Sequence, residues 1–230
     1  GTLTDLKDNP DNVFATMNSL DNYYQGSTFS NGNNTVVSGS SSTTFNTTTL
    51  MMTSGKYYAE VKPIAGSATI HLGIVGQMST SNGQQLASQT YGWAWADSGG
   101  VYTNGSGAGG TFASYANNNI LGIAIDLDNN RLFFSKDGVW QNSGDPTSST
   151  GAISITAPES TLMGAYSFAM NETWNDNTRT FQWNFGNGYF GTTAVTTNSG
   201  NGYSGAEGAS KFNYTVPAGY SALSTKGLNE

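Results

Sequence analysis

Residues 120–140 read ILGIAIDLDNNRLFFSKDGVW, and this stretch decides the fold. Ile120, Gly122, Ala124 and Asp126 share one face of an alternating pattern; Leu121, Ile123, Ile125 and Leu127 share the other. Successive side chains of a strand point to opposite faces, so a short, apolar, β-branched run between polar clusters is a strand. Asp128-Asn129-Asn130 supplies side chains that tolerate left-handed backbone angles and bond their own main chain, so the strand turns back. Residues 131–136 alternate again, with Leu132 and Phe134 opposite Phe133. Asp137-Gly138 makes a second turn, and Trp140 follows it. In so polar a chain, the most apolar hairpin predicts the centre of the core.

Outward from it, the same signals recur. Residues 55–62 alternate until Pro63, which is predicted to end that strand. Residues 69–75 place Ile70, Leu72 and Ile74 on one face and His71, Gly73 and Val75 on the other. Tyr91-Gly92-Trp93-Ala94-Trp95 is an aromatic strand, and residues 162–170 and 180–185 are the last strong ones. Near the start, residues 13–17 form a first strand candidate, and Ser30-Asn31-Gly32-Asn33-Asn34 turns a hairpin between Thr28-Phe29 and Thr35-Val36-Val37. Tyr57, Phe133, Phe134, Trp183 and Phe185 are expected in the core. No helix longer than a turn is legible. Many short strands with turn signals at close intervals predict an all-β antiparallel sandwich or barrel. Residues 1–11 read as an N-terminal linker or arm, and 12–230 as one domain. The chain opens Gly1-Thr2 without a Met, as an excised piece would.

Only 10% of the 230 residues are charged, yet 12% are aromatic. Disorder usually combines high net charge with few aromatics, so a packed core is expected. A net charge of −7 with eight scattered basic residues argues against nucleic-acid binding, which needs clustered Lys and Arg. The absence of cysteine excludes disulfides, thiolate metal sites and a cysteine nucleophile. No apolar run approaches the roughly 20 residues of a membrane span, so no membrane insertion is expected.

Little in the chain reads as catalysis. Asp126-x-Asp128-x-Asn130, with Asp137 further on, has the spacing of a calcium loop, but Arg131 stands where a glycine is needed. Asp126 and Asp128 share a strand face as a glycosidase pair might be imagined to, but the hairpin already explains both. His71 is the sole histidine, mid-strand, and no Gly-x-Ser-x-Gly elbow precedes a helix. The expectation is no enzyme, no catalytic residue, no metal and no cofactor. The aromatics beside polar loops are more informative. Rings offered from Gly/Ser/Asn loops supply area at low entropic cost while small polar neighbours adapt, and apolar sugar faces stack on such rings. Tyr102, Trp140, Trp174 and Tyr203 are therefore the candidate ligand-binding residues, with Arg179 beside the loop that carries Trp174.

Several spaced motifs coincide with one family. Gly55-Lys56-Tyr57-Tyr58-Ala59-Glu60-Val61 resembles the early G-K-x-Y-x-E-V strand of SPRY domains. Leu72-Gly73-Ile74 and Tyr91-Gly92-Trp93 resemble the two segments that follow it. Residues 122–138 resemble the family's G-x-x-x-D-x-D core, and Trp183-Asn184-Phe185-Gly186 its late N-F-G strand. The start at residues 9–18 and the close at 212–223, with Tyr214, Pro217, Gly219, Tyr220 and Leu223, are similar to SPRY-like modules of bacteriophage virion proteins. Residues 191–210 depart from that pattern as an inserted Gly/Ser/Thr/Asn loop.

The resemblance implies a concanavalin A-like sandwich of two antiparallel sheets. It further implies a non-enzymatic recognition module, a tail-fibre or adhesin domain on the outside of a virion. Its partners would be a host cell-surface glycan or protein, beside other virion protein domains. The alternative is a structural decoration or spacer domain without ligand. A glycan-degrading enzyme of similar fold is a third reading.

Overall fold

The computed structural model describes residues 12–40, 43–66, 69–173, 178–196 and 210–229. The arm expected at 1–11, and the site candidates Trp174 and Tyr203, lie outside the described residues.

Seventeen short strands occur among these residues. They are β1 (Thr28–Ser30), β2 (Thr35–Val37), β3 (Asn46–Thr47), β4 (Lys56–Ala65), β5 (Ile70–Val75), β6 (Gly92–Ala96), β7 (Val101–Thr103), β8 (Ser106–Gly107) and β9 (Leu121–Asp126), then β10 (Arg131–Lys136), β11 (Val139–Trp140), β12 (Ile153–Ser154), β13 (Ser167–Glu172), β14 (Thr180–Asn184), β15 (Tyr189–Phe190), β16 (Thr193–Ala194) and β17 (Ser221–Ala222). Among the described residues the only helical pieces are three-residue 3-10 turns at Leu86–Ser88, Pro158–Ser160 and Gly227–Asn229. No helix among the described residues is long and apolar enough to cross a membrane.

One sheet runs β1-β2-β14-β4-β9-β10-β11, with β12 on β10 and β17 on β4. The other runs β3-β13-β5-β6-β7-β8, and β15 and β16 pair separately. All ladders are antiparallel except β17 on β4. The faces are those that alternation predicts. Leu121, Ile123, Ile125, Leu132 and Phe134 meet Ile70, Leu72, Ile74, Trp93 and Trp95 in the core between the sheets, together with Tyr57, Trp183 and Phe185.

The predicted central hairpin forms in register, with Leu132 opposite Ile125 and Phe134 opposite Ile123. Its turn consumes the acidic residues that resemble a calcium loop. Asp126 pairs with Lys56 Nζ at 3.1 Å and accepts from the Asn129 side chain and backbone. Asp128 accepts the Gly55 N–H at 2.8 Å. At the second turn Asp137 (φ 49°) and Gly138 (φ 80°) are both left-handed, as a two-residue type I′ hairpin requires.

Two expectations are corrected. Pro63 does not end its strand: β4 continues to Ala65. Proline donates no ladder hydrogen bond, but β9 pairs with β4 only as far as Val61, and the β14 side has a register shift between Thr180 and Phe181. Pro63 therefore sits where no donor is asked of it. Residues 13–17 form no strand either; Phe14 and Met17 make single bridges to Ser224 and Thr48.

Both sheets are also covered on their outer faces. Outside the first, Tyr58, Ala124 and Phe133 lie beneath Phe212, Val216, Tyr220 and Ala222 of the C-terminal segment. Outside the second, Phe45, Val75, Leu86, Ala94 and Ala169 form a smaller cluster. Strands β5, β6, β9 and β13 are consequently buried along their whole length.

Candidate ligand-binding cleft

The C-terminal covering segment creates the most distinctive site. Its anchor is Glu60, fully buried on the outer face of β4. Oε1 accepts the Tyr214 N–H at 2.8 Å and the Tyr58 hydroxyl at 3.2 Å. Oε2 accepts the Asn213 N–H at 2.8 Å and the Asn184 amide at 3.2 Å. Asn184 in turn donates to the Lys211 carbonyl at 2.9 Å. Burial pushes the Glu60 carboxyl up to about 7, and the donated hydrogen bonds pull against that rise. A buried carboxylate surrounded by four donors is satisfied as an acceptor; here it fastens the strap over the sheet.

Small residues make room for the strap. Across the β4–β9 ladder, Tyr58 faces Ala124 and Glu60 faces Gly122. A Cβ at Gly122 would stand 2.3 Å from Ser135 Oγ and 2.7 Å from the Tyr58 hydroxyl, so only glycine fits there.

Where the strap passes the β10–β11 turn, a cleft of about 430 Å³ opens, lined by Gly138, Trp140, Asp145, Pro146, Thr147 and residues 214–218. Trp140 is half-buried and stands edge-on to Tyr58, ring centroids 6.3 Å apart. Tyr214 lies over the turn: a Cβ on Gly138 would meet its ring at 2.6 Å. On the opposite rim Thr147 donates its N–H (2.9 Å) and hydroxyl (2.7 Å) to Asp145 Oδ1. Those bonds hold the exposed Asp145 carboxyl below the usual carboxylate range. The cleft is open and as polar as it is apolar, and its volume lies within the range of small-ligand sites.

Of the residues picked from sequence, Trp140 lines this cleft. Tyr102 does not join it: it packs on the outer cluster of the other sheet, 6.2 Å from the His71 ring. The sandwich separates these two candidates onto opposite faces. Arg179 takes a structural place. It is buried, its guanidinium donates to the Gly66 carbonyl and its backbone N–H donates to Ser38 Oγ at 2.8 Å. Burial lowers its pKa, and the nearby Asp97 and Glu172 carboxylates oppose that lowering. His71 is buried mid-strand, and burial lowers its pKa to about 4. Among the described residues no group of three His, Asp or Glu side chains is placed to hold a metal.

The sequence reading passed over Glu60, Asp145 and Tyr214. The signal for Glu60 was present: Tyr58 and Glu60 share a face, and their ladder partners on β9 are the smallest residues of that strand. A large pair over a small pair leaves a trough that another segment can fill.

No protein-family model and no curated protein sequence matches the chain. Solved structures do. The SPRY domain of human HERC1 aligns with a TM-score of 0.52 at 12% identity, over 69% of this chain and 92% of that one. A stonustoxin structure aligns at 0.51 and 19% identity over 74% of this chain; the match takes in 27% of the toxin chain. At such identities the likeness concerns the fold. The two stacked antiparallel sheets, their shared core and these neighbours together give the chain a SPRY-like β-sandwich fold.

Proposed function

We propose that the chain is a non-enzymatic recognition module of a bacteriophage virion protein, a tail-fibre or adhesin domain that meets a host cell-surface glycan or protein. The observation that carries the reading is the cleft between the β10–β11 turn and the strap, where Trp140 and Tyr214 flank polar loop groups. The virion assignment draws on the resemblance of residues 9–18 and 212–223 to phage modules, and it implies an outside-facing location. A glycoside hydrolase usually needs two carboxyl groups across its cleft; Asp145 is the one acidic residue in this lining.

A second reading has its own observation. Trp140 also packs on the outer cluster, as it would in a spacer domain whose aromatics serve stability alone. Binding of the purified chain to bacterial cells and to their extracted surface polysaccharide separates the two, with a Trp140→Ala, Tyr214→Ala double variant checked for intact folding by near-ultraviolet circular dichroism. Saturable binding that drops at least tenfold in the variant supports the module and places its site. Absence of binding across a broad panel of hosts favours the spacer.

A further inference from the structure

We infer that the Trp140–Tyr214 cleft takes an uncharged pyranose unit of a glycan and discriminates against acidic sugars. The inference rests on the recognition-module reading and names the ligand class of that same site.

Trp140 and Tyr214, both half-buried, line the cleft, and Pro217 backs it from a buried position. A pyranose is amphipathic in the same sense: its axial C–H groups form an apolar face, and its hydroxyls point outward around the rim. Rigid rings contact such a face with little side-chain ordering cost. The polar members then fall where hydroxyls would be. Asp145 is an acceptor, exposed and held ionised by its two bonds from Thr147. The Tyr214 hydroxyl can donate or accept. A charged acceptor bonding a neutral donor makes the stronger class of hydrogen bond.

Charge then decides among sugars. Among the described residues, no Lys, Arg or His lines the cleft. Asp145 is on its rim, and Asp137 stands at the β10–β11 turn, its charge adding to burial in raising the Tyr214 pKa. The chain as a whole carries −7. A uronic or sialic acid carboxylate brought here would meet the Asp145 carboxylate with no cation among the described lining residues to receive it, Arg131 and Lys56 standing behind at Tyr220, and like-charge juxtaposition is an effective means of rejection. Two other clefts offer less. The one at Lys56 has its cation engaged by Asp126, and the one at Trp93 is lined by a tryptophan that is itself buried.

The test titrates the whole chain with length-matched oligomers of glucose, galactose, mannose and N-acetylglucosamine, and with oligomers of glucuronic and galacturonic acid. The Trp140 indole N–H resonance is followed, and cell binding is measured in parallel. The expected result is saturable binding of at least one neutral series, at least tenfold tighter than either uronate series, with a shift of the Trp140 resonance. Asp145→Lys, an exposed change beside Pro146 that gives up the two bonds from Thr147, should narrow or reverse that preference, with Asp145→Asn as the variant that keeps an acceptor and folding checked in both. Neutral binding that leaves the Trp140 resonance unmoved overturns the inference, as does a preference for uronates in the unaltered chain. Cells bound without any sugar bound would sink the inference and leave the recognition module standing, whereas failure to bind either would remove both.

Discussion

Glu60 shows at the residue scale how much one buried group can organise. Its two oxygens accept four bonds, two of them from the backbone of the strap. In Glu60→Gln an amide NH₂ must replace one oxygen and so confront donors. The least costly arrangement puts it at the Oε1 position, where the Tyr58 hydroxyl can rotate to accept. The Tyr214 N–H then loses its partner, at a cost of about 1–3 kcal/mol for an unsatisfied buried group. Urea unfolding should register that loss at pH 8, and hydrogen exchange should show faster exchange at the Tyr214 amide. An unchanged Tyr214 exchange rate would mean that Glu60 does not hold the strap. The motif around Glu60 was visible in sequence, but its task was not, because its four partners come from residues 2, 124, 153 and 154 positions away. A pattern of alternation records which way a side chain points, not what later covers it.

At the scale of elements, strands were more legible than their coverings. The hairpin of β9 and β10 could be read outright because one face is uniformly apolar and its turn residues admit left-handed angles. The end of β4 could not: whether Pro63 breaks a strand depends on whether a neighbour asks it for an N–H, and the neighbours are set by topology. The β10–β11 turn offers a sharp check. Asp137 accepts the Ile120 N–H at 2.8 Å and the Asn119 amide at 2.6 Å, and does so at positive φ. Asp137→Ala loses both bonds and adds left-handed strain of about 1–2 kcal/mol. Asp137→Asn tolerates the same backbone and keeps one acceptor, so its loss should be roughly half as large by the same reasoning. Denaturation midpoints of the two variants should rank in that order; equal midpoints would show that the turn geometry is imposed from elsewhere. Loop residues were the least legible of all, since Tyr102 and Trp140 look alike in sequence yet stand on opposite faces of the sandwich.

Across the whole molecule, two buried titrating groups on different sheets pull against each other. Glu60 has its carboxyl raised from 4.5 to about 7. Its stabilising contribution is full below pH 4.5 and is lost as pH rises through about 7. His71 is lowered from 6.5 to about 4. Its contribution is full above pH 6.5 and is lost as pH falls through about 4. At 1.36 kcal/mol per pKa unit each amounts to about 3 kcal/mol, and between pH 4.5 and 6.5 their slopes oppose. His71→Gln should therefore uncover a fall in stability with rising pH, and Glu60→Gln a fall with declining pH, each measured as the difference from the unaltered chain. Parallel profiles for all three proteins would refute the pairing.

The meeting of the chain's two described ends has a mechanical side. Phe14 bridges Ser224 antiparallel, the Ala15 N–H donates to the Leu223 carbonyl at 2.8 Å, and the Thr225 N–H donates to the Val13 carbonyl at 2.9 Å. Tension applied through both ends would load these bonds one at a time, as in opening a zip, instead of shearing them together. Once they part, the pull on the C-terminal side meets the pairing of Ser221 and Ala222 with β4 and then the strap held by Glu60, so a taut tether that opens the ends next threatens the wall of the cleft.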